Sequence, residues 1–248
     1  AGVTAAQTVT IETTAGALTV PAAATITATA GAISLNSGGN LTIATGATVR
    51  SDGPAGTIAL SVDGAADVAG SALTAAGGAT LSGGNGADTF LLSPSATTTI
   101  AVAGGAGTDT LTLGLGGGAV NDTGNSLAPT SAATVTYTGV ERIELPDAGP
   151  VTVTGTSAAN TLAVVRRDGA TIEYVLDSGP TVGYGGPSLT FDALGGDDTL
   201  SLDFAAGSPL PGVGGLVFAD GAGTDTLAVL GSAGNDILAL ALAPGGAT

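Results

Sequence analysis

Apolar and polar residues alternate in short runs from the first residues onward. Thr8-Val9-Thr10-Ile11, Leu18-Thr19-Val20, Thr25-Ile26-Thr27, Ile33-Ser34-Leu35, Leu41-Thr42-Ile43 and Ile58-Ala59-Leu60-Ser61-Val62 all repeat every second residue. A two-residue period puts alternate side chains on opposite faces, so each run predicts a half-buried strand. Between the runs sit Ser-Gly-Gly-Asn, Thr-Gly-Ala and Asp-Gly-Pro, residues that accept positive φ or preset a turn. No stretch carries a helical period.

The spacing of the apolar anchors says more than their number. Leu18, Ile26, Ile33, Leu41, Val49 and Ile58 follow one another at steps of 8, 7, 8, 8 and 9. Loops of a sandwich vary in length, whereas a winding chain keeps its step. Three such steps make a coil of about two dozen residues, within the range of repeat periods that marks solenoids. An immunoglobulin-like sandwich also wants a buried aromatic or a disulfide pin, and the segment 1–80 holds neither. The expected fold is therefore all-β, a parallel β-solenoid (β-helix). Coils stacked at the inter-strand spacing of ~4.8 Å would make a rod on the order of 50 Å long from about ten of them.

From residue 81 the turns change character. Gly83-Gly84-Asn85-Gly86-Ala87-Asp88-Thr89-Phe90 is followed by Gly104-Gly105-Ala106-Gly107-Thr108-Asp109-Thr110-Leu111. The phrase returns as Gly195-Gly196-Asp197-Asp198-Thr199-Leu200, Asp220-Gly221-Ala222-Gly223-Thr224-Asp225-Thr226-Leu227 and Gly231-Ser232-Ala233-Gly234-Asn235-Asp236-Ile237-Leu238. A longer repeat runs over these, with Val151–Val164 echoed from Leu227 onward and Gly155 echoed by Gly231. Three segments are expected: 1–80 as uniform coils, 81–150 as coils with Gly/Asp turns, and 151–248 as one repeat module of about 76 residues plus the start of the next.

Gly31-Ala32-Ile33-Ser34-Leu35 and Gly39-Asn40-Leu41-Thr42-Ile43 resemble filamentous-haemagglutinin-like passenger domains of secreted bacterial β-helix proteins. The later turns resemble the G-G-x-G-x-D-x-U phrase of RTX-type calcium β-rolls, and they are similar to the Gly-Asn-Asp-Thr-Leu arrays of very large bacterial surface proteins. The resemblance implies a secreted, rod-like adhesive or structural protein of the bacterial surface or exterior, with right-handed coils. One departure stands out: a β-roll repeats every nine residues, and only the copies at 220–238 approach that, at 11.

Composition removes most catalytic chemistry. The chain has no Cys, Met, Trp or His, and its four cations are all arginine: Arg50, Arg142, Arg166 and Arg167. Disulfides, imidazole or thiolate metal sites, Ser-His pairs and Schiff-base lysines go together. Aromatics are 3% of 248 residues, so the core must be built mainly of Ala, Val, Leu and Ile. Twenty acids leave a net charge of −16, which repels nucleic-acid phosphates and anionic lipid, so neither partner is expected. The longest apolar run, Ile237 to Ala243, is about a third of the roughly 18 residues a membrane-spanning helix needs, so no membrane insertion is expected. The start at Ala1, with no Met and no basic leader, predicts a processed product or a piece of something longer.

The acids follow the glycine turns. Residues 1–80 carry Glu12, Asp52, Asp63 and Asp67 against Arg50, whereas the remainder carries sixteen acids against three arginines. If Asp88 and Asp109 stack on successive coils, their carboxylates repel by about 3 kcal/mol at a surface dielectric. The same holds for Asp225 and Asp236, and Ca²⁺ held between such stacked carboxylates and turn carbonyls, with Asp88, Asp109, Asp198, Asp225 and Asp236 as the candidate ligands, would offset this, since calcium accepts six to eight oxygens in flexible geometry. The competing expectation is that each Asp accepts from amides of its own turn, with no ion. A carbohydrate-active β-helix would use Asp192, Asp197 and Asp198, or Arg166, Arg167 and Asp168, as acid, base or substrate-binding groups. Adjacent strand residues point to opposite faces, so Arg166 and Arg167 cannot share a groove. The expected function is thus non-catalytic: a structural or adhesive component that self-associates end to end into filaments, with a surface-layer or matrix module as the variant and a host or matrix glycan as a candidate partner.

Overall fold

The protein is described by a computed structural model covering residues 2–44, 46–52, 56–62, 65–67, 72–75, 78–212 and 214–234. The described residues form strands joined by turns and contain no helix. Leu18, Ile26, Ile33, Leu41, Val49 and Ile58 each lie in a strand of their own. Most pairings are parallel, and they assemble three sheets.

The chain visits the sheets in rotation. Sheet I contains Gly2–Ala5, Thr25–Ala28, Thr48–Ser51 and Ala72–Ala75; sheet II begins Val9–Thr13, Ile33–Ser37, Ile58–Val62, Ala79–Ser82; sheet III begins Leu18–Val20, Leu41–Ile43, Ala65–Asp67, Thr89–Leu92. Gly2 pairs with Thr25, Thr25 with Thr48, and Ile33 with Ile58. Each of these pairs spans the two-dozen step read from the anchors. Sheet I stops at Ala72–Ala75, and from there the chain alternates between sheets II and III. The step shortens accordingly, with Ala79 paired to Ile100 and Thr89 to Thr110.

Burial follows the period of two. Ile33–Ser37 and Ile58–Val62 turn every second side chain inward. In-register pairing then stacks like on like: Ile33 on Ile58, Ile58 on Ala79, Ala79 on Ile100, Ile100 on Val135, all buried. Phe90, Leu111, Ile143 and Val182 form the matching column in sheet III. Each fully buried aliphatic or Phe side chain of these columns contributes about 1.5–3 kcal/mol through removal from water, so the columns dominate the stability of the stack.

Two features depart from an all-parallel stack. Sheet II contains an antiparallel meander of Val120–Asp122, Ser126–Pro129 and Val135–Thr138, and sheet III one of Thr161–Asp168, Thr171–Leu176 and Thr181–Tyr184. The physical cause is in the turns. Asp122-Thr123-Gly124-Asn125 and Asp168-Gly169-Ala170 are short enough to send the chain straight back, with Gly124 at φ 82° and Gly169 at φ 24°; such Gly-containing reversals are hairpin turns, not corners. On the outer face of the second meander Arg142 bonds Glu144 (2.6 Å) and Glu173 (2.7 Å), and Arg167 bonds Glu144 (2.7 Å) across Gly183, where any side chain would collide with them. Glu173 and Glu144 hold the Arg142 and Arg167 guanidinium groups, respectively, further toward the protonated form.

Candidate functional site

The Gly/Asp turns line up at one corner, where the chain enters sheet III. Asn85 bridges Ala106 in parallel, and Gly195 bridges Ala222. Gly86 N–H donates to the Ala106 carbonyl (2.6 Å) and Gly196 N–H to the Ala222 carbonyl (2.8 Å). The glycines are dictated by proximity: at Gly107, φ 137°, a Cβ would run into the Gly86 carbonyl oxygen, and at Gly223, φ 146°, into that of Gly196. Only glycine fits both the conformation and the approach.

Four side chains at this corner, Asp109, Glu141, Asp198 and Asp225, accept the backbone N–H of the counterpart one strand earlier in the sheet. Asp88 N–H donates to Asp109 Oδ1 (2.7 Å), and Asp109 N–H to Glu141 Oε2 (2.8 Å). Further along, Asn160 N–H donates to Asp198 Oδ1 (2.7 Å), and Asp198 N–H to Asp225 Oδ1 (2.9 Å). A corner breaks the strand-to-strand ladder and leaves these amides without a carbonyl, and a buried N–H left unpaired costs about 1–3 kcal/mol. The carboxylates fill that need. Asp88 also accepts from Gly84 N–H within its own turn (2.8 Å), and Asn160 from Thr156 N–H (2.6 Å), so the expected local turn bond and the bond between neighbouring turns occur side by side.

Asp88, Asp109 and Glu141 thus form one ladder, and Asn160, Asp198 and Asp225 another; Asp236 lies outside the described residues. Between them Pro180, which has no N–H, precedes the strand Thr181–Tyr184, and Asp177 closes the break by accepting from Thr161 N–H (2.7 Å) and Asn160 Nδ2 (2.9 Å). Glu141 is a ladder member that the glycine phrase does not reveal, whereas Asn160 stands in the long repeat at the place that Asp236 takes in its echo. Their signal is positional: each stands immediately before a strand, in Glu141-Arg142-Ile143 and Asn160-Thr161-Leu162, as Asp does in Asp-Thr-Leu.

Asp109 and Asp198 are completely buried, and the Oδ2 atom of each has no hydrogen-bond partner. These orphaned carboxyl oxygens are the atoms best suited to meet a cation, with glycine-turn carbonyls nearby: the Gly139 carbonyl oxygen closes on Gly104 from the same side as Asp109 Oδ2. Among the described residues no three acids converge on one point, so carboxylates alone do not complete a coordination shell.

The groups proposed for carbohydrate chemistry take separate partners. Arg166 donates to the carbonyls of Gly169, Ser208 and Leu210, while Arg167 bonds Glu144 and Asp168. Asp197 accepts from Thr224 N–H (2.9 Å) and continues the stacking of the turns. Asp192 ends the strand Leu189–Asp192, in register with Thr154 and Ala219. A hollow of about 290 Å³ beside Asp177 is lined by Thr123, Asn125, Thr156, Asn160 and Ser178; its single carboxylate is the one already paired with Asn160 and Thr161.

A further buried acid lies away from the Gly/Asp corner. Asp122, at the end of Val120–Asp122, accepts from Gly124 N–H (2.9 Å), Tyr137 Oη (3.2 Å) and Tyr174 Oη (2.9 Å). Burial pushes its carboxyl up from the usual range, opposed by these three hydrogen bonds. Burial also raises Tyr137 and Tyr174, with the Asp122 charge adding to it. No protein-family model matches the chain, and no curated protein matches it either.

Proposed function

We propose that the chain is a non-catalytic structural or adhesive segment of a bacterial cell surface or extracellular filament, built as a right-handed parallel β-solenoid whose rod shape is its working property. The observation that carries this reading is the in-register column Ile33–Ile58–Ala79–Ile100–Val135 together with the rotation of the chain among the same sheets. A stack of that kind gains length with every turn and needs no cleft. The scattered partners of Asp192, Asp197, Arg166 and Arg167 favour it over a carbohydrate-active β-helix. An apolar hollow of about 270 Å³, lined by Val3, Ile11, Leu18 and Val20 on the outermost described strands of all three sheets and by Ile26 one strand further in, suits one more coil on that side, whether it comes from the same chain or from another copy. Small-angle scattering tests the reading. An elongated particle that lengthens with concentration is expected; a compact globule of fixed mass overturns it.

Calcium stabilisation is a second element of the proposal, favoured by the orphaned Oδ2 atoms of Asp109 and Asp198. A bound divalent ion would supply the positive charge that the ladder lacks. Millimolar calcium is expected to raise the melting temperature of metal-stripped protein, and Asp109→Asn with Asp198→Asn to abolish the gain. A melt indifferent to calcium and to chelator sinks this element and leaves the solenoid reading standing.

A further inference from the structure

The carboxylate of Asp122 stands where the two meanders meet. It belongs to the first strand of the sheet II meander, Tyr137 belongs to the third strand of that same meander, and Tyr174 lies on the middle strand of the sheet III meander. Oδ1 accepts within sheet II and Oδ2 accepts from sheet III, so one side chain ties the two sheets through the core. All three side chains are buried.

What faces the carboxylate is short of positive charge. Val153, its register partner on Val151–Thr154, and Leu127, opposite it on Ser126–Pro129, are apolar. Beyond Tyr174 the next titratable group is Tyr184, on Thr181–Tyr184, whose hydroxyl donates to the carbonyls of Gly149 and Ser188. The four arginines are engaged elsewhere: Arg50 with Asp52, Arg142 with Glu144 and Glu173, Arg167 with Glu144 and Asp168, and Arg166 with three carbonyls. An ionised Asp122 therefore has hydrogen bonds but no counter-ion, and a buried charge in that position weighs on the folded state unless the group takes up a proton.

We propose that Asp122, Tyr137 and Tyr174 form a proton-responsive staple between the two meanders, whose net contribution to stability is greatest when Asp122 is protonated and falls when it ionises, because the buried charge then costs more than its stronger hydrogen bonds return. The sign follows from linkage. The folded chain holds the Asp122 proton more tightly than the unfolded chain, whose carboxyl titrates near 3.8. Stability from this group is full below that value and is lost as pH rises through the folded-state value. The device thus favours the folded stack increasingly as pH falls toward the unfolded-state value, independently of the ladder and of what the protein binds.

The test compares the protein with Asp122→Asn. The amide keeps the shape and carries no charge, while the other acids respond to pH alike in both chains, so their difference isolates Asp122. Between about pH 4 and about pH 8, the melting temperature of the unaltered chain is expected to fall by at least about 3 °C more than that of the variant. Carbon-13 NMR of the Asp122 carboxyl supplies a direct reading: its midpoint should lie above the ordinary aspartate range, and Tyr174→Phe, which removes a donor to the ionised form, should move it higher still. If Asp122→Asn does not fold, the carboxyl titration of the unaltered and Tyr174→Phe chains decides alone. Parallel melting curves for the two chains, or a carboxyl midpoint in the ordinary range that Tyr174→Phe does not raise, overturn the proposal.

Discussion

The described residues up to 75 and those from 79 onward solve the same packing problem with different materials. The first region uses three sheets, a two-dozen step and a core of aliphatic side chains alone. The second uses two sheets and brings Phe90, Tyr137, Tyr174, Tyr184 and Phe191 inside. In the first region the inward positions of short strands in three sheets are filled by Val, Ile and Leu. When sheet I ends, larger side chains supply the buried area. The corners change in parallel: Ser37 Oγ donates to the carbonyls of Gly16 and Asn40 in the first region, and Asp or Glu accepts backbone N–H groups in the second. A hydroxyl satisfies carbonyls without charge. A carboxylate satisfies amides but accumulates charge along the stack, which is why the acidity of the chain gathers after residue 80.

The largest expected effect tests the two cores. Phe90→Ala should cost about 3–5 kcal/mol and Leu35→Ala about 2–5, with the aromatic loss the greater. Denaturant unfolding of both variants reads this, and an equal or larger loss at Leu35 would break the idea that the two-sheet section leans on its aromatics. Next come the turns. Gly107→Ala meets both a positive φ and the Gly86 carbonyl oxygen, whereas Gly16, φ 94°, has open space around its missing side chain. About 3 kcal/mol is expected at Gly107 against about 1 at Gly16, and similar melting shifts for the two would show that the glycine phrase does not enforce close stacking.

The smallest effect sharpens the contrast between corners. Asp109→Ala strands the buried Asp88 N–H, for about 1–3 kcal/mol, while Ser37→Ala removes a donor to two carbonyls, for about 1 kcal/mol. Asp109→Asn keeps an accepting oxygen and removes a charge, so it should recover most of what Asp109→Ala loses. Amide exchange at Asp88 follows the bond itself. Fast exchange at that amide in the Asn variant would mean that charge, not acceptance, is what the position requires.

Much of this was legible in the residues. The strands over Ile33-Ser34-Leu35 and Ile58-Ala59-Leu60 follow from alternation, and the repetition of one glycine phrase before Asp88 and before Asp109 foretold that their turns would lie side by side. What the Asp side chains do there was not legible, because Asp109 Oδ1 meets the backbone of another turn, and a motif describes only its own. Glu141 escaped notice for the same reason, since it shares a place in the stack and no glycine phrase, while Asn160 was marked only by its alignment with Asp236 in the long repeat. The meanders were hidden by their turns, since Asp168-Gly169 reads equally as a corner and as a reversal until the partner strand is known.

Alternation, turn chemistry and the two-dozen step are properties of neighbouring residues, so the sequence by itself determined that the described residues form strands joined by turns, which faces of Ile33–Ser37 or Thr89–Leu92 turn inward, and where the acids collect. The end of sheet I at Ala72–Ala75, the two reversed strands, the handing of each corner amide to the next carboxylate and the meeting of Asp122 with the distant Tyr174 were decided by tertiary structure. Those choices compare the energies of alternative partners far apart along the chain, and the alternatives differ only once the sheets are assembled and water has left the space between them.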